Sequence, residues 1–353
     1  MHFCLFVWIS TNYLHAAKNR FGKFKSISHL CVEDESSLLH CCMEKTVYIG
    51  ALTHCYQRTK DHGVVFYKVS DYLLYFTIYC VLARRYKLRV LKLALMADHV
   101  HQAVIEEKWG DLSRFVGQVN ATFSREYNAA VGRKGPLWET PYGRAYKRGD
   151  KAVRTCLVYL DNNPVERKLV LLAENYRWNF MAYAKSNHPF SERIRLRDAS
   201  MPLRRALKQV QILHSQGRYL PYRLLQRLFS SLPSDKEREQ LIDFIISTYS
   251  VIRYMEAIRY FGSYEEEVLA AHATTGSEYD IQEGFIGKSD ACYGQMTGLL
   301  LRKKRLSDIH RIWTLSLAEK RQLFSFLRQY TSVTGAQIAA FLHLPPAGVD
   351  GND

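Results

Sequence analysis

No stretch of this sequence is long and apolar enough to span a bilayer, and no lysine-rich amphipathic helix marks a membrane-surface protein. A membrane partner is therefore not expected. The apolar run from His2 to Ile9 has no basic segment before it and no small-residue cleavage site after it, which argues against a signal peptide. Cys-x-x-Cys pairs and paired zinc spacings are missing, although Cys4, Cys31, Cys41, Cys42, Cys55, Cys80, Cys156 and Cys292 are present. That pattern reads as the reduced thiols of a cytoplasmic protein rather than a disulfide framework. Internal repeats and low-complexity segments are also lacking. Acid is in short supply: 34 Asp and Glu against 49 Lys and Arg leave a net charge of +15. Such an imbalance calls for a polyanionic partner, and nucleic acid is the commonest one.

What is present fits a chain of two domains. Its 353 residues are 47% hydrophobic, ample for a core. Residues 1–42 hold half of the cysteines and little periodicity, while Met43 stands just before a convincing strand. They read as a leader outside the true protein, with Met43 as the start; a genuine flexible leader is the alternative. Residues 43–186 read as an α+β domain and residues 187–353 as a helical, DNA-binding or accessory domain.

Thr46 to Tyr56 predicts a strand, with Val47, Ile49 and Ala51 on one face. Gln57 to Gly63 reads as a polar turn. Ser70 can cap a helix over 71–87, with Leu74, Ile78, Val81 and Leu82 inward. Leu88 to Met96 is apolar on both faces apart from Arg89 and Lys92, which predicts a central strand. His101 to Ile105 continues as a third strand. Asp111 caps a helix with Leu112, Phe115, Val116, Val119, Phe123 and Tyr127 on its stripe, and Gly132 ends it. A short strand around Gly143 to Lys147 follows. Strands followed by covering helices make an α+β layer architecture. Beyond Lys185 the strand signals stop. Residues 187–198 read as an arginine-rich linker, and helices are expected over 203–215, 221–232, 235–261, 289–302 and 317–330. Ser234 with Glu237 makes a capping box for the third of these. A loop is expected over 274–284, and Thr334 caps a short last helix. The last two helices resemble the start of a helix-turn-helix, but too few residues follow Pro346 for a recognition helix. An incomplete unit and a plain helical hairpin both remain open.

Two stretches carry chemistry. On a strand, His99 and His101 share a face, with Val100 turned away, and two neutral imidazoles make a ready pair of metal ligands. The second stretch is a helix end, with Asp150 as its N-cap and Val153, Cys156, Leu157 and Leu160 on one apolar face. Tyr159 lies about 110° from the centre of that face. It reads as a flank residue, and Asn163, four positions on, shares that flank. Asn163 offers a neutral oxygen suited to Mg²⁺ or Mn²⁺, or it caps the helix before Pro164. Taken alone, a His-x-His pair and a flank tyrosine also suit packing roles.

The run from about Lys45 to Ala184 resembles the single-tyrosine HUH transposases of the insertion-sequence and REP-associated type. The matching residues are Leu95-Met96-Ala97-Asp98-His99-Val100-His101, Gly135-Pro136-Leu137-Trp138 and Tyr159-Leu160-Asp161-Asn162-Asn163-Pro164-Val165. The resemblance covers about 140 of the 353 residues. At Ala97-Asp98 the family more often has Pro-Asn or Pro-Glu, a departure read as shaping the turn and not the chemistry.

The resemblance implies a ferredoxin-like, RRM-like core with an antiparallel sheet. It implies Tyr159 as nucleophile, His99, His101 and Asn163 as ligands of Mg²⁺ or Mn²⁺, and a covalent 5′-phosphotyrosine with a free 3′-hydroxyl. A phenol with a pKa of about 10 needs help to attack at neutral pH, and a divalent ion polarising the phosphate supplies it. The expected partner is single-stranded or hairpin DNA, and a homodimer is an open possibility. Arg133, Lys134, Arg144, Lys147, Arg148, Lys151 and Arg154 crowd the approach to the Tyr159 helix, opposed only by Glu139 and Asp150. Trp138, Tyr142 and Tyr146 are interleaved, and charge plus stacking is what single strands require. Trp138 can stack on a displaced base or lid the core. Further basic patches are Arg193, Arg195, Arg197, Arg204 and Arg205, and Arg302-Lys303-Lys304-Arg305. The expected function is a single-stranded DNA transposase or endonuclease acting near hairpins. The alternative is a non-catalytic hairpin-binding protein that keeps the fold.

Overall fold

The structure, a computed structural model, describes residues 23–25, 46–274, 286–287, 289–304 and 306–345. Apart from residues 23–25, the expected leader lies outside them, as does most of the expected loop over 274–284. The strand expected over 46–56 is divided. Strand β1 (Lys23–Lys25) pairs with β2 (Thr46–Tyr48), and the chain then turns through Gly50 into β3 (Leu52–Arg58). Gly50 has φ +80°, a conformation that glycine adopts without a Cβ penalty.

Four strands form the main sheet in the order β4 (Arg89–Leu95), β5 (His99–Ile105), β3, β6 (Gly143–Lys147), and all neighbours are antiparallel. Helix α1 (Val69–Arg85) joins β3 to β4, and α2 (Asp111–Val131) joins β5 to β6. This βαββαβ order is the ferredoxin-like arrangement. Strand β4 is therefore an edge strand, not a central one. Its edge is closed by Ile252, which bridges to Val90, and by the Arg253 N–H donating to Val90 O. That contact also interrupts the long helix expected over 235–261.

Directly paired residues share a sheet face. Cys55, Val90, Val100 and Val104 turn toward α1 and α2, against Leu74, Ile78, Phe115 and Phe123. Leu52, His54, Tyr56, His99, His101 and Ala103 turn the other way. A bulge at Leu91 brings Lys92 opposite Ala103, on this second face. Helix α3 (Gly149–Glu166) covers it, burying Val153, Cys156, Leu157 and Leu160 against Leu52, Leu91, Ala103 and Ile105. Each fully buried side chain of this kind contributes roughly 1.5–3 kcal/mol. The helix runs through Pro164 to Glu166. Asp150 lies in its first turn rather than at the cap, just as Ser70 and Asp111 lie inside their helices.

The remaining chain is helical: α4 (Met201–Ser215), α5 (Tyr222–Ser230), α6 (Asp235–Tyr249), α7 (Tyr254–Ile258), α8 (Tyr264–Ala273), α9 (Ala291–Lys303), α10 (Leu317–Tyr330) and α11 (Gly335–Leu342). The core under α1 continues into α4–α6 through Leu203, Leu225, Leu241 and Ile245. Helices α9–α11 form a second cluster that reaches Val64 and Ala97, at the β4–β5 turn. Buried Asp71 ties these parts together. Its carboxylate accepts from the Tyr67 and Lys68 N–H groups, and from Tyr222 Oη at 2.7 Å, and meets His310 Nε2 at 3.0 Å. Among the described residues no helix is long and apolar enough to cross a membrane, and Cys55, Cys80, Cys156 and Cys292 are free thiols.

Candidate functional site

The face of β3 and β5 that carries histidines meets one turn of α3. The rings of His99 and His101 lie 4.9 Å apart, and the Tyr159 ring stands edge-on to His101 at 5.5 Å. A third imidazole completes the group. His54 Nε2 is 3.1 Å from His101 Nδ1, its ring stacks on His101 at 5.2 Å, and it stands edge-on to Tyr159 at 5.8 Å. Asn163 Nδ2 donates to Tyr159 Oη at 3.3 Å. The sequence pattern missed His54. Its signal was the alternation Leu52-His54-Tyr56, but only the pairing of Tyr56 with His101 shows that the alternation leads here.

Tyr159 is not a flank residue. It is 2% exposed and packs on the sheet side of α3, in one cluster with Leu52, Leu91, Ala103 and Leu160. The sheet takes one side, and α8 with residues 173–184 takes the other, through Ala173, Met181 and Ala271. The last two turns, from Cys156 to Pro164, are buried on every face. Two polar contacts lock the helix there. Asn179 Nδ2 donates to Asp161 O at 3.0 Å. Lys92 Nζ is 2.7 Å from Asp161 Oδ1 and 2.9 Å from Glu267 Oε1, with all three residues buried. Burial, with Glu267 nearby, pushes the Asp161 carboxyl up to about 7, against the pull of Lys92.

Asp98 does more than shape the turn. Its Oδ1 lies 2.6 Å from His99 Nδ1. Burial would raise this carboxyl, but His99 and, further off, Arg167 and His62 hold it below its ordinary value. A carboxylate on Nδ1 selects the tautomer that leaves the Nε2 lone pair for a ligand. His54 engages His101 at the same ring position.

A divalent ion fits this donor set. Two imidazoles oriented through Nδ1 would offer Nε2. Asn163 Oδ1 is buried and accepts no hydrogen bond among the described residues. No group of three or more His, Cys, Asp or Glu side chains among the described residues is arranged to hold a metal ion. Such an ion would therefore rest on the mixed set of His99, His101 and Asn163.

The basic residues spread over the sheet edge beyond β3. Lys147 shares the histidine face, opposite Leu52, while Arg144 lies opposite Cys55 on the other face. Arg148 stacks on the Tyr48 ring at 3.6 Å, and Arg154 lies over Phe261 at 5.7 Å; both are exposed, as is Lys151. Lys134 is exposed, but Arg133 is engaged. It donates to Asn128 Oδ1 and to the Gly135 and Pro136 carbonyls, and lies over Trp313. Trp138 is 5% exposed and packs among Phe66, Tyr75 and Phe123. That placement puts its indole in the core and out of reach of a displaced base.

No curated protein matches the chain. Among solved structures, one described as the REP-associated tyrosine transposase bound to a REP hairpin aligns at 15% identity with a TM-score of 0.33. The alignment covers 37% of this chain and 76% of that one. A family model described as transposase, IS200-like, matches residues 50–163. Over that stretch, which carries His54, His99, His101, Tyr159 and Asn163, the chain is similar to the IS200-like transposases.

Proposed function

We propose that this protein is a single-stranded DNA transposase that cuts and rejoins strands through a 5′-phosphotyrosine on Tyr159. The observation that carries the reading is the closure of α3 on the sheet, which brings Tyr159, His101 and His54 within 6 Å ring to ring. A core tyrosine needs only apolar neighbours. Beside its own, Tyr159 has two imidazoles and a carboxamide.

In the cleavage step the Tyr159 oxygen attacks phosphorus. The Tyr159 O–P bond forms as the P–O3′ bond breaks, and the departing 3′ oxygen takes a proton in place of the one that the phenol loses. Reversal by another 3′-hydroxyl rejoins strands without an external energy source. Asn163 holds the phenol oxygen from one side, and His54 fixes the orientation of His101. When bound, Mg²⁺ or Mn²⁺ would supply polarisation of the scissile phosphate from His99, His101 and Asn163. The net charge of +15 and the exposed Lys134, Arg148, Lys151 and Arg154 support DNA as the partner.

The test is incubation with labelled single-stranded hairpins and Mn²⁺ or Mg²⁺, followed by denaturing electrophoresis. The wild type yields a protein–DNA adduct that resists denaturant, and Tyr159→Phe yields none. The Phe variant loses about 1 kcal/mol of stability, because Asn163 Nδ2 loses its acceptor in a buried site. An adduct formed by Tyr159→Phe would assign the nucleophile elsewhere. Hairpin binding by the wild type without an adduct under either ion would make the protein a non-catalytic reader of DNA.

A further inference from the structure

Residues 187–200 contain no helix or strand, yet buried side chains hold them in place. Three residues of α6, each three positions from the next, bind this strap along its length. Asp243 Oδ2 accepts from the Phe190 N–H at 3.0 Å. Gln240 Oε1 accepts from the Ile194 N–H at 2.5 Å, and Gln240 Nε2 donates to Ile194 O. Glu237 accepts from the Ser200 N–H at 2.9 Å and from Ser200 Oγ at 2.7 Å. All three side chains are buried. Glu237 thus serves the strap and does not close a capping box on Ser234. A surface linker ordinarily leaves its backbone to water, and ordering it has an entropic cost.

What the strap presents is charge. Arg193, Arg195 and Arg197 are exposed along it. They face Arg204 and Lys208 of α4 around a groove of about 1070 Å³. No Asp or Glu lines the groove. Of the strap's two carboxylates, Asp198 pairs with Arg197 at 3.7 Å and Glu192 with Lys236 at 2.6 Å, both exposed. Arg204 also donates to the Ala199 and Arg197 carbonyls, which stiffens the strap. Arg193, Arg195 and Lys208 make no ion pair among the described residues and add to the charge of Arg197 and Arg204, so packing does not account for these three, whereas a polyanion does. The floor is apolar, with Leu207 buried and Phe244 half-buried. A duplex offers its phosphates but keeps its bases inside, and only an unpaired base can lie on such a floor.

We propose that this groove is a second nucleic-acid site, outside residues 50–163, which holds an unpaired stretch of DNA. Its phosphates lie on the strap arginines and Lys208, and a base lies on Leu207 and Phe244. The proposal rests on the reading of the chain as a DNA enzyme. The groove is joined to the first site by protein. Asp243, which pins the strap at Phe190, also accepts from Tyr183 Oη at 2.6 Å, and nearby Asn179 holds Asp161 O on α3.

The variant Arg193→Ala/Arg195→Ala/Lys208→Ala removes three exposed cations and no hydrogen bond to the strap backbone. A fluorescein-labelled oligo-dT of about 15 nucleotides matches the span of one single-strand site. Binding is measured by anisotropy over a salt series, beside a blunt-ended two-strand duplex and polyglutamate. The expected result is weaker oligo-dT binding, with the log–log salt slope reduced by about 2, as roughly 0.7 per lost cation requires. Duplex binding changes less, and polyglutamate competes poorly. An unchanged slope and affinity for oligo-dT overturns the proposal. An equal loss on the duplex overturns the single-strand assignment, and strong, variant-sensitive competition by polyglutamate overturns nucleic acid as the occupant. If the slope falls as stated but the wild type never forms a Tyr159 adduct, the groove stands and the proposed chemistry falls.

Discussion

Replacing Lys92 by methionine tests the buried charge cluster that holds α3 on the sheet. Lys92 is 4% exposed, and its ammonium is the cation between Asp161 and Glu267, which are 0% and 1% exposed. Methionine keeps the length and removes the charge. Two carboxyls then share a site that has lost its cation, and the folded protein is driven to take up a proton there. Holding one carboxyl protonated at pH 7.5, about 3.5 pH units above its ordinary pKa, costs about 5 kcal/mol; at pH 5 it costs about 1.5 kcal/mol. The loss should therefore approach the 3–5 kcal/mol typical of a broken buried pair at pH 7.5, and be about 1–2 kcal/mol at pH 5. The sign follows from the raised carboxyl pKa. A group raised in the folded state contributes stability below its unfolded pKa and loses it as pH climbs through the folded one. For wild-type Asp161, raised to about 7, that window runs from about 4 to 7. The assay is urea denaturation of wild type, Lys92→Met and Lys92→Met/Asp161→Asn/Glu267→Gln at both pH values. The triple variant should recover most of the loss and lose the pH dependence. A Lys92→Met loss below about 1 kcal/mol at pH 7.5, or one that is equal at both pH values, would show that the carboxylates are hydrated and refute the reasoning.

His99→Ala and His101→Ala should each abolish adduct formation while leaving hairpin affinity within a few-fold, since the exposed cations remain. Undiminished adduct in both variants, with a divalent ion still required, would remove the pair from the site. Asp71→Asn exchanges one acceptor oxygen for a donor where four groups converge, among them the Tyr67 and Lys68 N–H groups and Tyr222 Oη. It should destabilise the protein by about 3 kcal/mol, read as a lower urea midpoint at an unchanged slope. A loss under about 1 kcal/mol would mean that water serves these groups in the wild type.

Periodicity located most elements, because it reports a single buried face. The stripe Leu112, Phe115, Val116, Val119, Phe123 and Tyr127 is buried throughout, and α2 ends at Gly132, which has φ +74°. Errors arose where a segment answers to a partner distant in sequence. Strand β4 is apolar on both faces because helices cover both, and such a pattern does not reveal that its outer edge is closed by Ile252 rather than by another strand. Residues 250–253 leave the helix to make that contact. The arginine-rich segment at 187–200 reads as a linker because its own side chains are polar; what orders it is carried by Glu237, Gln240 and Asp243 on α6.

The same distinction governs the site. His99 and His101 share a face by the alternation of any strand, and Asn163 follows Tyr159 by one helical turn. Those relations are local and could be read in advance. His54 reaches His101, 47 positions away, only through strand register, while Asp98 adjoins His99 in sequence and still needs the right side-chain orientation to meet its ring. Tyr159 shows the limit most clearly. A helical wheel measures its angle from the apolar stripe, about 110°, and so expects it at a partly wet boundary. The wheel assumes that the covering layer reaches only the stripe. Here the histidine face of the sheet reaches past the stripe to Tyr159, and the flank becomes an interior surface. An interior tyrosine hydroxyl must then find a polar partner. It finds Asn163, four residues along the same helix, and it lies beside the imidazoles of two strands. The burial that the wheel did not foresee is thus what gathers the polar groups of the candidate site around one oxygen.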